Sequence, residues 1–555
     1  MKVHRAVTQS RDHEIAEPHY SAFVEFGEPV KRLLGLAQFL CSVFLVAVFI
    51  QGCGGGGGTS STTTTTSPTL TTPTVTVAPG ASSAAMGQTF SVGVTLSGGS
   101  STPTGTVAVT SGNYASFETT LASGKATIQV PAALLAAGSD TLTVYYTPDL
   151  ASSDTYNSAS GTAMVTVTAG PAAPSVTTSY VTYPTAGAPF QAIVDSAGTV
   201  FVGIPSGVQV FTPGAGGLTS VCVNSLSSTL LGEGAAGSNL SLLPNGVNLA
   251  EGIGSAGAIF FNLAAINTCT AAGVVVSQGS VASDQGTMEV DVTPDGKYAF
   301  VSNEYGVAPG ATSEGNIGVV QLVYDANGNV TTGSTLIGQI STGGTAIAGM
   351  TLSPDGTRLY VTSEIATSAS NASGSSNPIL SESNCVQAAG GSPQLNGTLT
   401  VINVAKAETS PGQTAILATV DAGCSPVRMA ETADESTLWV AARGDNRVLA
   451  FSTGMLEFNP GNALLGYAGT GGTAPVGIRL FHNDQLLAVA NSNRFNTGTA
   501  NSTVLFVAVP ASASVLQTTQ TGLFPREIWV GSDDATLYLT NYDSNTLEVI
   551  STTVH

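Results

Sequence analysis

Met350-Thr-Leu-Ser-Pro-Asp-Gly-Thr-Arg-Leu-Tyr-Val361 reads as a hydrophobic strand, a tight turn and a second hydrophobic strand. Val290-Asp-Val-Thr-Pro-Asp-Gly-Lys-Tyr-Ala-Phe-Val301 repeats the pattern. Pro presets φ for the turn, and Gly accepts the positive φ that follows. Looser copies align with these two and place the turn at Gly198, Gly246, Gly296, Gly356, Glu435, Asp484 and Asp534. The intervals are 48, 50, 60, 79, 49 and 50 residues. A period near 50 built from short strands predicts a radial array of four-stranded blades. Seven copies predict an all-β fold containing a seven-bladed β-propeller over residues 176–555. The last copy is one outer strand short, and the extended, β-branched segment Val176 to Tyr183 just before the first copy is expected to complete it. Such a ring is a scaffold for many functions, so function has to be sought in its sites.

The chain has 555 residues, and only 9% are charged. That suits short strands and tight turns better than surface helices. The formal net charge is −20. Residues 1–32 hold five basic and five acidic side chains, leaving 10 of 15 basic and 30 of 35 acidic ones for the rest. An acidic surface repels phosphate backbones, so nucleic acid is not an expected partner.

Upstream, Lys31-Arg32 precede an apolar run from Leu33 to Ile50, and the run ends in Ile50-Gln-Gly-Cys53. The pattern resembles a bacterial lipoprotein signal. That resemblance implies cleavage before Cys53 and a lipid on its sulfur, with residues 1–53 as the signal region. The other reading is an uncleaved transmembrane anchor, since 18 apolar residues nearly span a bilayer. Residues 54–72, with Gly54 to Gly58 and Thr62 to Thr66, favour lipidation, because this composition makes a flexible tether. The expected location is the bacterial outer membrane or cell surface, with the periplasm as the alternative, and the expected state is a monomer.

Residues 73–168 alternate apolar and polar in short runs such as Phe90-Ser-Val-Gly-Val-Thr-Leu96 and Leu142-Thr-Val-Tyr-Tyr146. This predicts a small β-sandwich. It resembles bacterial Ig-like repeat domains through Gly124-Lys-Ala-Thr-Ile and Leu135-Ala-Ala-Gly-Ser-Asp-Thr-Leu-Thr-Val-Tyr-Tyr146. Those domains are spacers or adhesive modules, and a single copy favours a spacer. Residues 169–175 form a Pro-containing linker. The ring resembles the YVTN-type propeller family through Ser353-Pro-Asp-Gly-Thr-Arg-Leu-Tyr-Val-Thr362 and Ala433-Asp-Glu-Ser-Thr-Leu-Trp-Val-Ala441. Lactonase-like proteins share this architecture.

Strand direction sorts the candidate residues. Positions entering strand one and leaving strand two share a face, and the turns lie on the opposite one. The entering positions include Gln191, Asn239, Glu289, Gly349, Arg428, Gly477 and Glu527. The leaving positions include Glu304, Glu364, Arg443, Arg494 and Tyr542. They predict a mixed-charge rim around the channel, suited to a polar ligand such as a glycan or an envelope protein. The alternative is that these charges solvate the rim and pair with one another. Blade order places Cys385, in the longest insertion, beside Cys424 on the same face and predicts a disulfide. Cys222 and Cys269 hold matching places in the first two repeats, as a second bridge or as two buried thiols.

Catalysis has little support. After Cys53 only His482 and His555 remain, and His482 aligns with the turn. A His base or His metal site is therefore not expected. There is no G-x-S-x-G motif and no cofactor motif. Asp325-Ala-Asn-Gly-Asn329 lacks the further acidic ligands of a calcium loop and reads as a hairpin turn. Trp439 and Trp529 read as core. The leading expectation is a binding scaffold without catalytic residues, metal or cofactor. The alternative, from the resemblance, is a lactonase-like hydrolase acting on a small sugar lactone.

Overall fold

The computed structural model describes residues 69–170, 173–226, 237–254, 257–270, 274–276, 285–305, 314–366, 385, 395–494, 501–510 and 513–555. The signal region, Cys53 and the tether up to residue 68 lie outside these residues. The expected tether ends sooner than residue 72, because Thr71 bridges to Tyr156 and the Thr72 hydroxyl accepts from Asn157 Nδ2 at 3.0 Å. Among the described residues no helix is long and apolar enough to cross a membrane.

The turn signal is obeyed at all seven sites. The backbone at Gly198, Gly246, Gly296, Gly356, Glu435, Asp484 and Asp534 has φ between 54° and 81°. Glycine takes this conformation without penalty, whereas the three acidic residues are strained there. Each of the three uses its carboxylate on the turn of the preceding repeat. Glu435 accepts from Asp355 N at 2.6 Å, Asp484 from Ala433 N at 2.6 Å and Asp534 from Asn483 N at 2.5 Å. A side chain that clasps the neighbouring turn offsets the cost of its own φ.

The strands around these turns form seven four-stranded antiparallel sheets. The inner strand of each packs against the inner strand of the next, and Pro525–Val530 of the last packs against Ala192–Val194 of the first. The ring therefore closes, and the fold is a β-propeller. Buried apolar side chains from adjacent sheets fill the space between blades, as where Phe300, Ile317 and Ile340 of the third meet Met350, Leu359 and Val361 of the fourth.

As the sequence predicts, the last sheet is completed from the N-terminal side. Val176–Pro184 pairs along its whole length with Thr546–Val554. Closure covers an edge that would otherwise be open. Deleting residues 176–184 should cost several kcal/mol in urea unfolding, because the last sheet loses its outer strand. An unchanged midpoint would show that the ring closes without it.

Thr74–Thr168 forms a sandwich of a three-stranded sheet facing a larger one. Its core includes Val92, Val109, Ile128, Val144 and Val165. This domain is docked on the fifth sheet of the ring. Ala115 N donates to Ser452 Oγ at 3.3 Å, and Asn113 Nδ2 donates to Leu464 O at 3.0 Å. Tyr145 packs on Phe458, with ring centroids 5.6 Å apart. The Arg358 guanidinium lies 4.3 Å over the Phe117 ring. Gly454 permits the approach, since a Cβ there would collide with the Ala115 carbonyl.

Both cysteine pairs are bridged. Cys385–Cys424 has its Cα atoms 5.4 Å apart, and Cys222–Cys269 has them 6.0 Å apart. The second joins the outer strand Gly217–Ser225 to the end of the short helix Leu263–Asn267. Closing loops of 39 and 47 residues restricts the unfolded chain by about 4 kcal/mol each on loop-entropy grounds.

Candidate functional site

The site is built by a repeated distortion of the inner strands. In six sheets the pairing of strand one with strand two shifts near the entering position, for example between Pro426 and Met429 or between Pro525 and Ile528. A bulge bends the strand and re-aims a side chain. Here the re-aimed side chains meet on the axis.

Asn239, Glu289, Arg428 and Glu527 are therefore not an open rim. Their exposures are 5%, 7%, 4% and 1%. Arg428 Nε donates to Glu527 Oε1 at 2.5 Å and lies 3.5 Å from Glu289 Oε1. Arg428 Nη2 reaches Asn239 Oδ1 at 3.4 Å. Asn239 Nδ2 and Met350 N both donate to Glu289. Gln191 Oε1 accepts from Leu240 N at 2.5 Å. Burial pushes the Glu289 carboxyl up, against the downward pull of Arg428. Gly349 and Gly477 complete the tier without side chains, because Cβ atoms there would collide with the Val427 and Arg526 carbonyls. The result is a floor across the channel that ties the second, third, fifth and seventh sheets together.

On the turn side of this floor lies a cavity of about 320 Å³. Its walls come from positions two residues further along the inner strands, namely Ser241, Asp291, Thr351, Arg479 and Trp529. These are half-buried while the floor is buried, so the cavity is open toward the turns. Arg479 Nη1 donates to Ile478 O at 3.0 Å and to Met429 O at 3.5 Å, and its guanidinium is 6.0 Å from the Trp529 ring centre. Asp291 is pushed up to about 7, by burial first and then by Glu289, with Arg479 opposing. The cavity thus offers one aromatic wall, guanidinium donors, two hydroxyls and a carboxyl near neutrality. Trp529 packs against the core of the first two sheets, as expected, and also lines this wall, whereas Trp439 is fully buried.

The opposite face carries the leaving positions. Glu364 and Arg443 form an ion pair at 2.5 Å, with side-chain exposures of 10% and 6%. Glu304 is half-buried and Arg494 is exposed. Tyr542 stands edge-on to Phe190 at 5.2 Å. Arg526, which the repeat alignment passes over, lies 4.4 Å from the Phe190 ring and 5.8 Å from the rings of Phe524 and Tyr542. Burial and the charge of Arg428 lower its pKa to about 10. Its sequence signals are its neighbours Glu527 and Phe524, since the Phe190 and Tyr542 rings come from other segments. Among the described residues no group of three or more His, Cys, Asp or Glu is placed to hold a metal ion.

The fold and site define a β-propeller with a buried ionic floor and a polar axial cavity. The chain is similar to solved structures, one described as "Crystal Structure of Mitotic Checkpoint Complex", at 10% identity and TM-score 0.45 over 67% of this chain and 90% of that one. Another is the Myceliophteria thermophila Cps50 (Swd1) beta-propeller domain, at 10% identity and TM-score 0.44 over 68% and 99%. At that identity and overlap they carry no argument about function. No protein-family model matches the chain, and no curated protein does either.

Proposed function

We propose that this chain is a bacterial cell-envelope lipoprotein, tethered through Cys53, whose propeller binds a polar, hydroxyl-rich ligand in the axial cavity. The Ig-like and YVTN-type resemblances and the Gly/Thr-rich tether support the surface role. The observation that carries the binding role is the cavity wall of Trp529, Arg479, Asp291, Ser241 and Thr351. A sugar ring presents an apolar C–H face to an aromatic wall and hydroxyls to paired donors and acceptors. The volume falls at the lower end of small-molecule sites, so the end of a glycan fits better than a long stretch. The ligand face moves from the predicted rim to the turn side. A glycan array on the full chain tests this, with Trp529→Ala and Arg479→Ala each expected to weaken binding roughly tenfold. Unchanged affinity in both variants would place the ligand elsewhere.

The near-neutral Asp291 favours one second reading, a lactonase-like hydrolase. A carboxyl that titrates near the working pH suits a general base. Turnover of sugar lactones, lost in Asp291→Asn, would select it; binding without turnover would select the scaffold.

A further inference from the structure

The docked sandwich creates a second recess, distinct from the axis. It has a volume of about 370 Å³ and lies between the sandwich and the turn of the fifth sheet. Tyr114, Phe117, Ile128 and Pro131 wall it on one side, and Asp434 and Glu435 on the other. Tyr114 is only 2% exposed, yet its hydroxyl has no hydrogen-bonding partner among the described residues. Burial, with Asp434 nearby, pushes that phenol up, so it stays a donor and an acceptor.

The carboxylates are not consumed by the fold. Asp434 uses Oδ1 to hold Thr432 Oγ1, Ser436 N and Ser436 Oγ. Glu435 uses Oε1 to accept from Asp355 N. The second oxygen of each makes no hydrogen bond among the described residues. Arg358, whose charge acts on Glu435, stacks on the Phe117 ring at 4.3 Å and is committed to Glu457 at 2.6 Å. Burial pushes the Glu435 carboxyl up, helped by the negative charges of Asp355 and Asp434 and opposed by the Asp355 N–H bond and the charge of Arg358. The recess therefore has apolar and aromatic walls ending in two carboxylates, each with a free oxygen, and the Tyr114 phenol beside them.

We propose that this recess binds an aliphatic amine, its hydrocarbon stem lying along Phe117, Ile128 and Pro131 and its ammonium between Asp434, Glu435 and the Tyr114 hydroxyl. A long stem with a charged head matches such a surface. An ammonium gains from both the carboxylates and the ring faces. A metal ion fits less well, because no three carboxylates converge here. The amine is either a free diamine or the side chain of a lysine on a partner peptide, and the two sources share this chemistry.

Titration calorimetry on the full chain tests the assignment, using 1,5-diaminopentane, a lysine-containing peptide, its side-chain-acetylated form and n-butanol. Binding of an amine probe but not of butanol or the acetylated peptide is expected, weakening with salt. A tighter peptide than diamine identifies a partner protein as the source, and the reverse identifies a free amine. Asp434→Asn with Glu435→Gln keeps the turn acceptors and should cost at least about tenfold in affinity; Tyr114→Phe should cost severalfold. No binding at millimolar amine, or amine binding untouched by these substitutions in a chain with unchanged melting, overturns the proposal.

Discussion

Replacing Arg428 with methionine is expected to lower stability by about 3–5 kcal/mol, because it strands buried carboxylates without their cation. Glu527 would lose the 2.5 Å bond from Arg428 Nε, and its Oε2 already has no partner. Glu289 would keep its donors from Asn239 and Met350 N but lose the charge that opposes its burial. The double variant Arg428→Met with Glu527→Leu should recover much of the loss, because an apolar pair leaves fewer charges in the floor. Urea unfolding of the single and double variants measures this. A single variant within about 1 kcal/mol of the parent would mean that water, not Arg428, compensates the floor. The same argument disqualifies Arg428 as a binding probe: lost binding there would report a damaged ring, whereas Arg479 and Trp529 report the cavity.

Glu251→Val should stabilise the chain most at alkaline pH. The equivalent position in the other repeats is Val202, Val301, Val361, Val440, Val489 and Leu539. Glu251 is 0% exposed, and neither carboxylate oxygen has a partner. Burial alone pushes it from 4.5 to about 8. The folded chain thus holds this proton more tightly than the unfolded one. Stability is complete below the ordinary carboxylate range and falls as pH rises toward 8, by about 1.4 kcal/mol per unit. The group therefore removes on the order of a few kcal/mol by pH 8. Valine should remove that slope, and glutamine should remove the slope while keeping an unpaired polar group. Unfolding at pH 5, 6.5 and 8 checks both. Equal slopes in parent and Glu251→Val would assign the proton to another carboxyl, with Glu431, also raised to about 8, as the first alternative.

Reading the sequence located every turn of the ring, the closing strand and both cysteine pairs. Each of these rests on a local or periodic constraint. A positive φ at a turn demands glycine or a compensated acid, and Glu435, Asp484 and Asp534 could be aligned because their flanking strands kept the period of two. Val176–Pro184 was recognisable because a four-stranded sheet lacked one member. The entering positions were also correctly grouped, since equal offsets from equal turns put them in one tier.

What that tier does was decided only in three dimensions. Arg428 and Glu527 are 99 residues apart, and Arg428 and Asn239 are 189 apart. Whether such side chains face water or each other depends on how far the bulged inner strands converge on the axis. Convergence turned an expected rim into a floor and left the cavity on the other side, with Trp529 and Arg479 as its walls. The caging of Arg526, the docking of the sandwich and the unpartnered Glu251 have the same origin. Strand period and turn chemistry are properties of a few neighbouring residues, whereas burial and pairing of a charge are properties of the space that seven sheets enclose.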